Sequence, residues 1–178
     1  MIPTIAIANF FISKSLATGR DLTPMKLIKM VYIAHGWYLA YTDEPLIGDG
    51  VQAWKYGPVI PSLYDHFKRY RDNQITSVEQ AYVPEMRGFA IPAVRDDDVK
   101  VKQFLDNVWD AYSGYSAIQL STMTHQPGTP WYETWVLHRG SETMGSVIPN
   151  DSIKLHYKKL LAERVPNANA PAREAEPA

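Results

Sequence analysis

Cysteine is missing altogether from this 178-residue chain. Its absence removes disulfides, thiol nucleophiles and thiolate metal sites together, and it fits a reducing compartment, so a cytoplasmic location is expected. Long apolar runs are missing too. The most apolar stretch, Met1 to Ile12, lacks the basic flank of a signal peptide, is interrupted by Asn9 and stops at Ser13-Lys14. It is too short to span a bilayer and reads as a core helix. A surplus of positive charge is lacking: the formal net charge of −1 leaves no overall basic footprint for nucleic acid. No Gly-x-Gly-x-x-Gly, Gly-Lys-Ser/Thr or Gly-x-Ser-x-Gly occurs, so neither a phosphate cradle nor a nucleophile turn is expected. The five histidines, His35, His66, His125, His138 and His156, never recur at metal-binding spacing. No metal and no cofactor is expected.

What is present is a core. Hydrophobic residues make up 46 % of the chain, enough for one domain of ordinary size. That domain is expected over residues 1–163. The remainder, 164–178, is rich in Ala and Pro with a single branched aliphatic residue, and it cannot bury enough surface to offset its ordering entropy. A disordered tail is expected there.

The patterning predicts a mainly α fold, a single compact helical domain of about seven helices with one or two short β-strands. A first helix follows Thr4, with Ile5, Ala8, Ile12 and Leu16 on its inner face. Thr23-Pro24 starts the second, Thr as N-cap and Pro in the first turn. From Met25 to about Tyr41 this helix is apolar nearly all round, with Lys26 and Lys29 as its thin polar stripe, so it belongs at the centre. Val51 to Tyr56 alternates like a half-buried strand, and Gly57-Pro58 is expected to end it. Ser62 opens a helix with Leu63, Tyr64 and Phe67 inward. Small strands are expected around 81–83 and 89–91. Asp96-Asp97-Asp98 precedes a helix with Val101, Leu105, Val108 and Tyr112 inward. Its acidic start suits the helix dipole better than a metal. Ser116 and Gln119 form a capping box, Thr129-Pro130 repeats the Thr-Pro start, and Asn150-Asp151 opens the last helix.

Two constellations stand out. Ala53 to Pro61 places Trp54 and Tyr56 beside the Gly57-Pro58 pair. Thr124 to Trp131 runs from His125 through a Pro/Gly turn to Pro130 and Trp131. Rigid turns carrying aromatic residues and histidine suit recognition, although Trp54 and Trp131 also read as core pillars and His125 as a partner of nearby backbone. Arg69, Tyr70 and Arg71, at the exposed end of the third helix, supply the Arg and Tyr types in which binding energy concentrates.

Those segments carry a family likeness. Leu22-Thr23-Pro24-Met25-Lys26-Leu27-Ile28-Lys29-Met30-Val31-Tyr32, then Ala53-Trp54-Lys55-Tyr56-Gly57-Pro58-Val59, then Leu120-Ser121 through His125 to Pro130-Trp131, and finally Ile148-Pro149-Asn150-Asp151 resemble, in order, the motifs of the Panacea domain. That family includes SocA-like antitoxins and phage-associated GepA-like proteins. The resemblance implies a mostly helical antitoxin that neutralises a cognate protein toxin by direct binding, with no catalytic residue to transfer. In the SocA-like branch it also implies an adaptor role that hands toxin to the ClpXP protease. Thr23, Pro24, Lys26, Leu27, Lys29, Tyr32, Gly57, Pro58 and Pro130 are then motif positions. Trp54, Tyr56, Arg69, Tyr70, Arg71, His125 and Trp131 are the candidate partner-binding residues. A single helix before Leu22 leaves no room for a separate DNA-binding segment, so nucleic acid is not an expected partner, and neither is a membrane. A reading from another class is a hydrolase pairing His125 with Asp65 or Glu133, since general acid–base chemistry needs a positioned histidine and carboxylate.

Overall fold

The structure is a computed structural model that describes residues 1–83, 87–143 and 145–164. Two helices come first, α1 (Thr4–Thr18) and α2 (Pro24–Thr42), followed by the short strands β1 (Val51–Trp54) and β2 (Gly57–Val59) and the helix α3 (Pro61–Phe67). A second small hairpin, β3 (Ala81–Val83) and β4 (Gly88–Ala90), leads to α4 (Val99–Tyr112) and α5 (Ala117–Thr124). The chain closes with α6 (Pro130–Tyr132), β5 (Val147–Ile148) and α7 (Asn150–Arg164). The expected class, mainly helical and one domain, holds. The short strands among the described residues number five.

Thr23-Pro24 sets the centre of the molecule. Pro24 needs no amide partner in the first turn, and the Thr23 side chain caps the Lys26 amide. Fifteen of the nineteen residues of α2 are buried, and α1, α4, α5 and α7 all pack on it. With each buried Leu, Ile or Met contributing roughly 1.5–3 kcal/mol, this helix carries more of the core than any other. Its supposed polar stripe is the main correction. Lys26 and Lys29 are both buried. Lys26 reaches across to donate to the Ser113 carbonyl at 2.7 Å, and Lys29 turns into the hairpin described below.

Tight packing lets α7 approach α2 closely. Gly36 has no Cβ, and the Tyr157 ring occupies that space: a Cβ there would lie 2.1 Å from the ring. Tyr157 in turn packs edge-to-face on Trp37 at 5.0 Å.

On α1 the expected inner face is partly displaced. Ala8 and Ile12 are buried with Phe11 and Ser15, but Leu16 is exposed. The helix is apolar on several faces, so its periodicity fixes no single inward direction. Between Arg20 and the Thr4 end, Asn9 ties this helix to the segment before β3, donating to the Glu79 carbonyl and accepting from the Glu79 amide. The capping box at Ser116 and Gln119 forms with both bonds in place. Of the three aspartates before α4, Asp96 pairs with Lys102 and Asp97 and Asp98 with Arg95. α7 runs through Arg164, whose guanidinium lies over Trp37 at 4.3 Å. Residues 165–178 of the expected tail lie outside the described residues.

Candidate functional site

The strand at Val51 does not end at Gly57-Pro58. Lys55 and Tyr56 form a two-residue turn, and Gly57, Pro58 and Val59 return as β2, paired with Trp54, Ala53 and Gln52. β2 is an edge strand in the order β2-β1-β5, where a proline amide is not required by a neighbour. Gly57 stands at φ +103°, a backbone region that glycine reaches without a side-chain clash.

Side chains from three helices clasp this hairpin from beneath. The Lys29 ammonium donates to the carbonyls of Tyr56 at 2.7 Å and Pro58 at 3.0 Å. Ser121 of α5 donates a second bond to the Tyr56 carbonyl at 3.2 Å, so both of its lone pairs are engaged. The Trp131 indole N–H donates to the Trp54 carbonyl at 2.8 Å. His125 packs against Trp131 with ring centroids 4.0 Å apart, and its Nδ1 lies 2.5 Å from the Ser121 carbonyl. A carbonyl only accepts, so Nδ1 carries the proton and is spent on backbone. Gly57 makes the clasp possible, because a Cβ there would meet Lys29 Nζ at 2.3 Å and His125 Cε1 at 2.7 Å. Lys29, Trp54, Gly57, Pro58, His125 and Trp131, scattered along the sequence, are thereby one cluster.

Lys29 has no carboxylate beside it. Burial pushes its pKa down from 10.5 to about 7 because the interior disfavours the charge. Either form can hold the hairpin, since a neutral amine still has two N–H groups for two carbonyls. The folded pKa lies below the unfolded one, so the unfolded chain holds the extra proton between pH 7 and 10.5. Stability should therefore rise with pH through that window and be lost as pH falls toward 7. Urea denaturation at pH 7, 8 and 9 should show the wild type gaining on Lys29→Met by up to about 1 kcal/mol per pH unit. An equal slope in the variant would place the titration elsewhere.

Above the clasp, between the hairpin, the start of α2 and α3, lies a groove of about 530 Å³. Pro24, Met25, Ile28 and Val59 give it an apolar lining, Trp54, Tyr56 and Tyr64 an aromatic one, and Lys29, Lys55, Lys68 and Arg71 line it as well. Trp54 meets Tyr64 edge-to-face at 5.0 Å and gives its indole N–H to Gln52 at 2.9 Å. Tyr56 is 63 % exposed. Of the candidate partner-binding residues, Trp54, Tyr56 and Arg71 meet at this groove. His125 and Trp131 lie in the clasp, Trp131 buried at 6 % exposure. Arg69, Tyr70 and Arg71 occupy a 3-10 turn and its cap after α3 rather than the helix itself. There Arg69 is drawn away to Glu79 and Tyr70 faces Ser77 at 3.2 Å. Met25, Lys55, Tyr64 and Lys68 were missed in the sequence. The one available signal was Lys55 itself, a charged residue between two aromatics at what proves to be the hairpin tip.

Asp65 pairs with Lys68 at 2.7 Å, Glu133 begins a π-helical turn that continues α6, and among the described residues the hydrogen bonds of the His125 ring go to Ser121 and not to a carboxylate. Among the described residues no group of three or more His, Asp or Glu side chains is placed to hold a metal ion, and none of the described helices is long and apolar enough to cross a membrane.

The family described as antitoxin SocA-like, Panacea domain, matches residues 27–132. The chain belongs to this Panacea-domain family. The matched stretch of the Panacea domain starts in the first turns of α2 and ends in α6, so it contains every residue of the clasp. Antitoxin SocA of Caulobacter vibrioides (strain NA1000 / CB15N) is 29 % identical over 127 residues, covering 71 % of this chain and 66 % of that protein. The alignment thus spans just under two thirds of the relative's length. No solved structure matches.

Proposed function

We propose that this chain is an antitoxin that neutralises a cognate protein toxin by binding it directly, as a binder and not a catalyst. The observation that carries the reading is the Panacea-domain match over residues 27–132, and the similarity to Antitoxin SocA supports it. Neutralisation by contact needs a surface that can bury roughly 1,200–2,000 Å² in total, with its energy held by a few aromatic or arginine anchors. The exposed Tyr56 ring at the hairpin tip is such an anchor.

Cells expressing the neighbouring reading frame should stop growing, and co-expression of this chain should restore growth. A harmless neighbour, or toxicity left untouched, removes the antitoxin reading and keeps only the fold. A contact mechanism also predicts a separation of effects. Tyr56→Ala should leave the unfolding free energy within about 0.5 kcal/mol of wild type, as for most exposed substitutions, and still weaken both growth rescue and co-purification with the neighbour's product. Full rescue by this variant would take the hairpin tip out of the contact.

A further inference from the structure

The groove beside the hairpin has a one-sided charge. Three exposed basic residues, Lys55, Lys68 and Arg71, line it together with the buried Lys29, and no Asp or Glu among the described residues does. Lys68 is held from the side by Asp65, while Lys55 and Arg71 make no ion pair among the described residues. The chain as a whole carries −1, so this is a local field and not a reflection of overall charge. The backbone contributes as well. Arg71 sits at φ +55°, ψ −113°, a conformation that costs a non-glycine residue roughly 1–3 kcal/mol and persists only where surrounding structure imposes it.

We infer that this groove is the toxin-docking surface and that it takes an acidic segment of the toxin carrying one bulky apolar side chain. The assignment rests on the antitoxin reading above. Met25, Ile28 and Val59 give the groove an apolar lining for such an anchor, and the volume suits one or two large side chains. Carboxylates flanking that anchor meet Arg71 and Lys55, the latter resting over the Tyr56 ring at 5.5 Å. Arg accepts a carboxylate with two parallel bonds, which fixes register. A nucleic acid strand fits less well. Base stacking along a strand needs successive open aromatic faces, whereas the Trp54 and Tyr64 rings are turned 65° to each other and packed together, which leaves Tyr56 as the one well-exposed ring among the described residues of the groove.

The test uses the full chain and the purified product of the neighbouring reading frame. Lys55→Glu combined with Arg71→Glu should weaken the complex by roughly 30-fold or more, and should flatten the dependence of Kd on NaCl between about 50 and 500 mM. A control with the same charge change on exposed positions of α4 and α7, Lys100→Glu with Lys159→Glu, should shift Kd less than about threefold. Circular dichroism and thermal melting confirm that both doubles fold. Growth rescue with an unchanged Kd in the groove variant overturns the docking site and leaves the antitoxin reading standing. Equal weakening by both doubles overturns it too, since only overall charge would then matter. Displacement of the toxin by a dT12 oligonucleotide at micromolar concentration assigns the groove to nucleic acid and also overturns it. Absence of any complex with the wild-type chain defeats the antitoxin reading itself, and the docking site with it.

Discussion

Gly57→Ala should lower the unfolding free energy by roughly 3–5 kcal/mol, the largest loss expected from adding a single methyl group to this chain. Two costs add. At φ +103° an L side chain strains the backbone by roughly 1–3 kcal/mol. The new Cβ would also fall 2.3 Å from Lys29 Nζ, displacing it from the Tyr56 and Pro58 carbonyls. Two such bonds contribute roughly 1–3 kcal/mol together when the amine is neutral, and more when it is charged. A double-mutant cycle separates the two. In a Lys29→Ala background the alanine at 57 should cost its backbone strain and the clash with His125 Cε1 at 2.7 Å, so the coupling energy reports the displaced Lys29 bonds. Urea denaturation gives each corner. A loss below about 1 kcal/mol for Gly57→Ala alone would show that the hairpin slides aside and that the clasp is not rigid.

Gly36→Ala should also destabilise, against the trend for exposed helices. Alanine in a helix interior is favoured over glycine by about 1 kcal/mol. Here the added Cβ would lie 2.1, 2.4 and 2.6 Å from three atoms of the Tyr157 ring. That ring is buried and wedged against Trp37, so it cannot swing away. Overpacking of this severity costs roughly 3 kcal/mol, which outweighs the helical gain and leaves a net loss of about 2 kcal/mol. In a domain of this size the melting temperature should fall by about 4–8 °C. Tyr157→Leu should recover part of the loss when combined with Gly36→Ala, although it destabilises alone. Thermal melts of the three variants check this, and a stabilised Gly36→Ala would mean that α7 docks on α2 less closely than described.

What could be read ahead of the structure was mostly local. The caps at Thr23, Ser116 and Thr129 depend on side chains bonding amides three residues on, and such short-range chemistry is visible in the sequence. The central place of α2 followed from its lack of a polar face. The same argument misplaced Lys26 and Lys29. A lysine is normally a solvent marker, and nothing nearby in sequence announces carbonyls at Ser113 or Pro58 waiting for its ammonium. Gly57-Pro58 was legible as a sharp feature but not as the start of a return strand, because the edge position that tolerates Pro58 is set by β5 from the far end of the chain. The groove was the least legible. Trp54, Tyr56 and Arg71 were each noticed, but their meeting depends on α3 folding back over the start of α2.

The sheet order β2-β1-β5 has a bearing on synthesis. β1 is complete at Trp54, yet its second neighbour arrives only with Val147 and Ile148, and Trp131 comes between. A chain still on the ribosome can close the β1–β2 hairpin, but it cannot complete the three-stranded sheet until Ile148 has cleared the exit tunnel. At 5–20 residues per second, the interval from Trp54 to Ile148 is about 5–20 s. The sheet is therefore completed only in released or nearly released chains, and a translation stall anywhere in that interval leaves β1 with one edge unpaired.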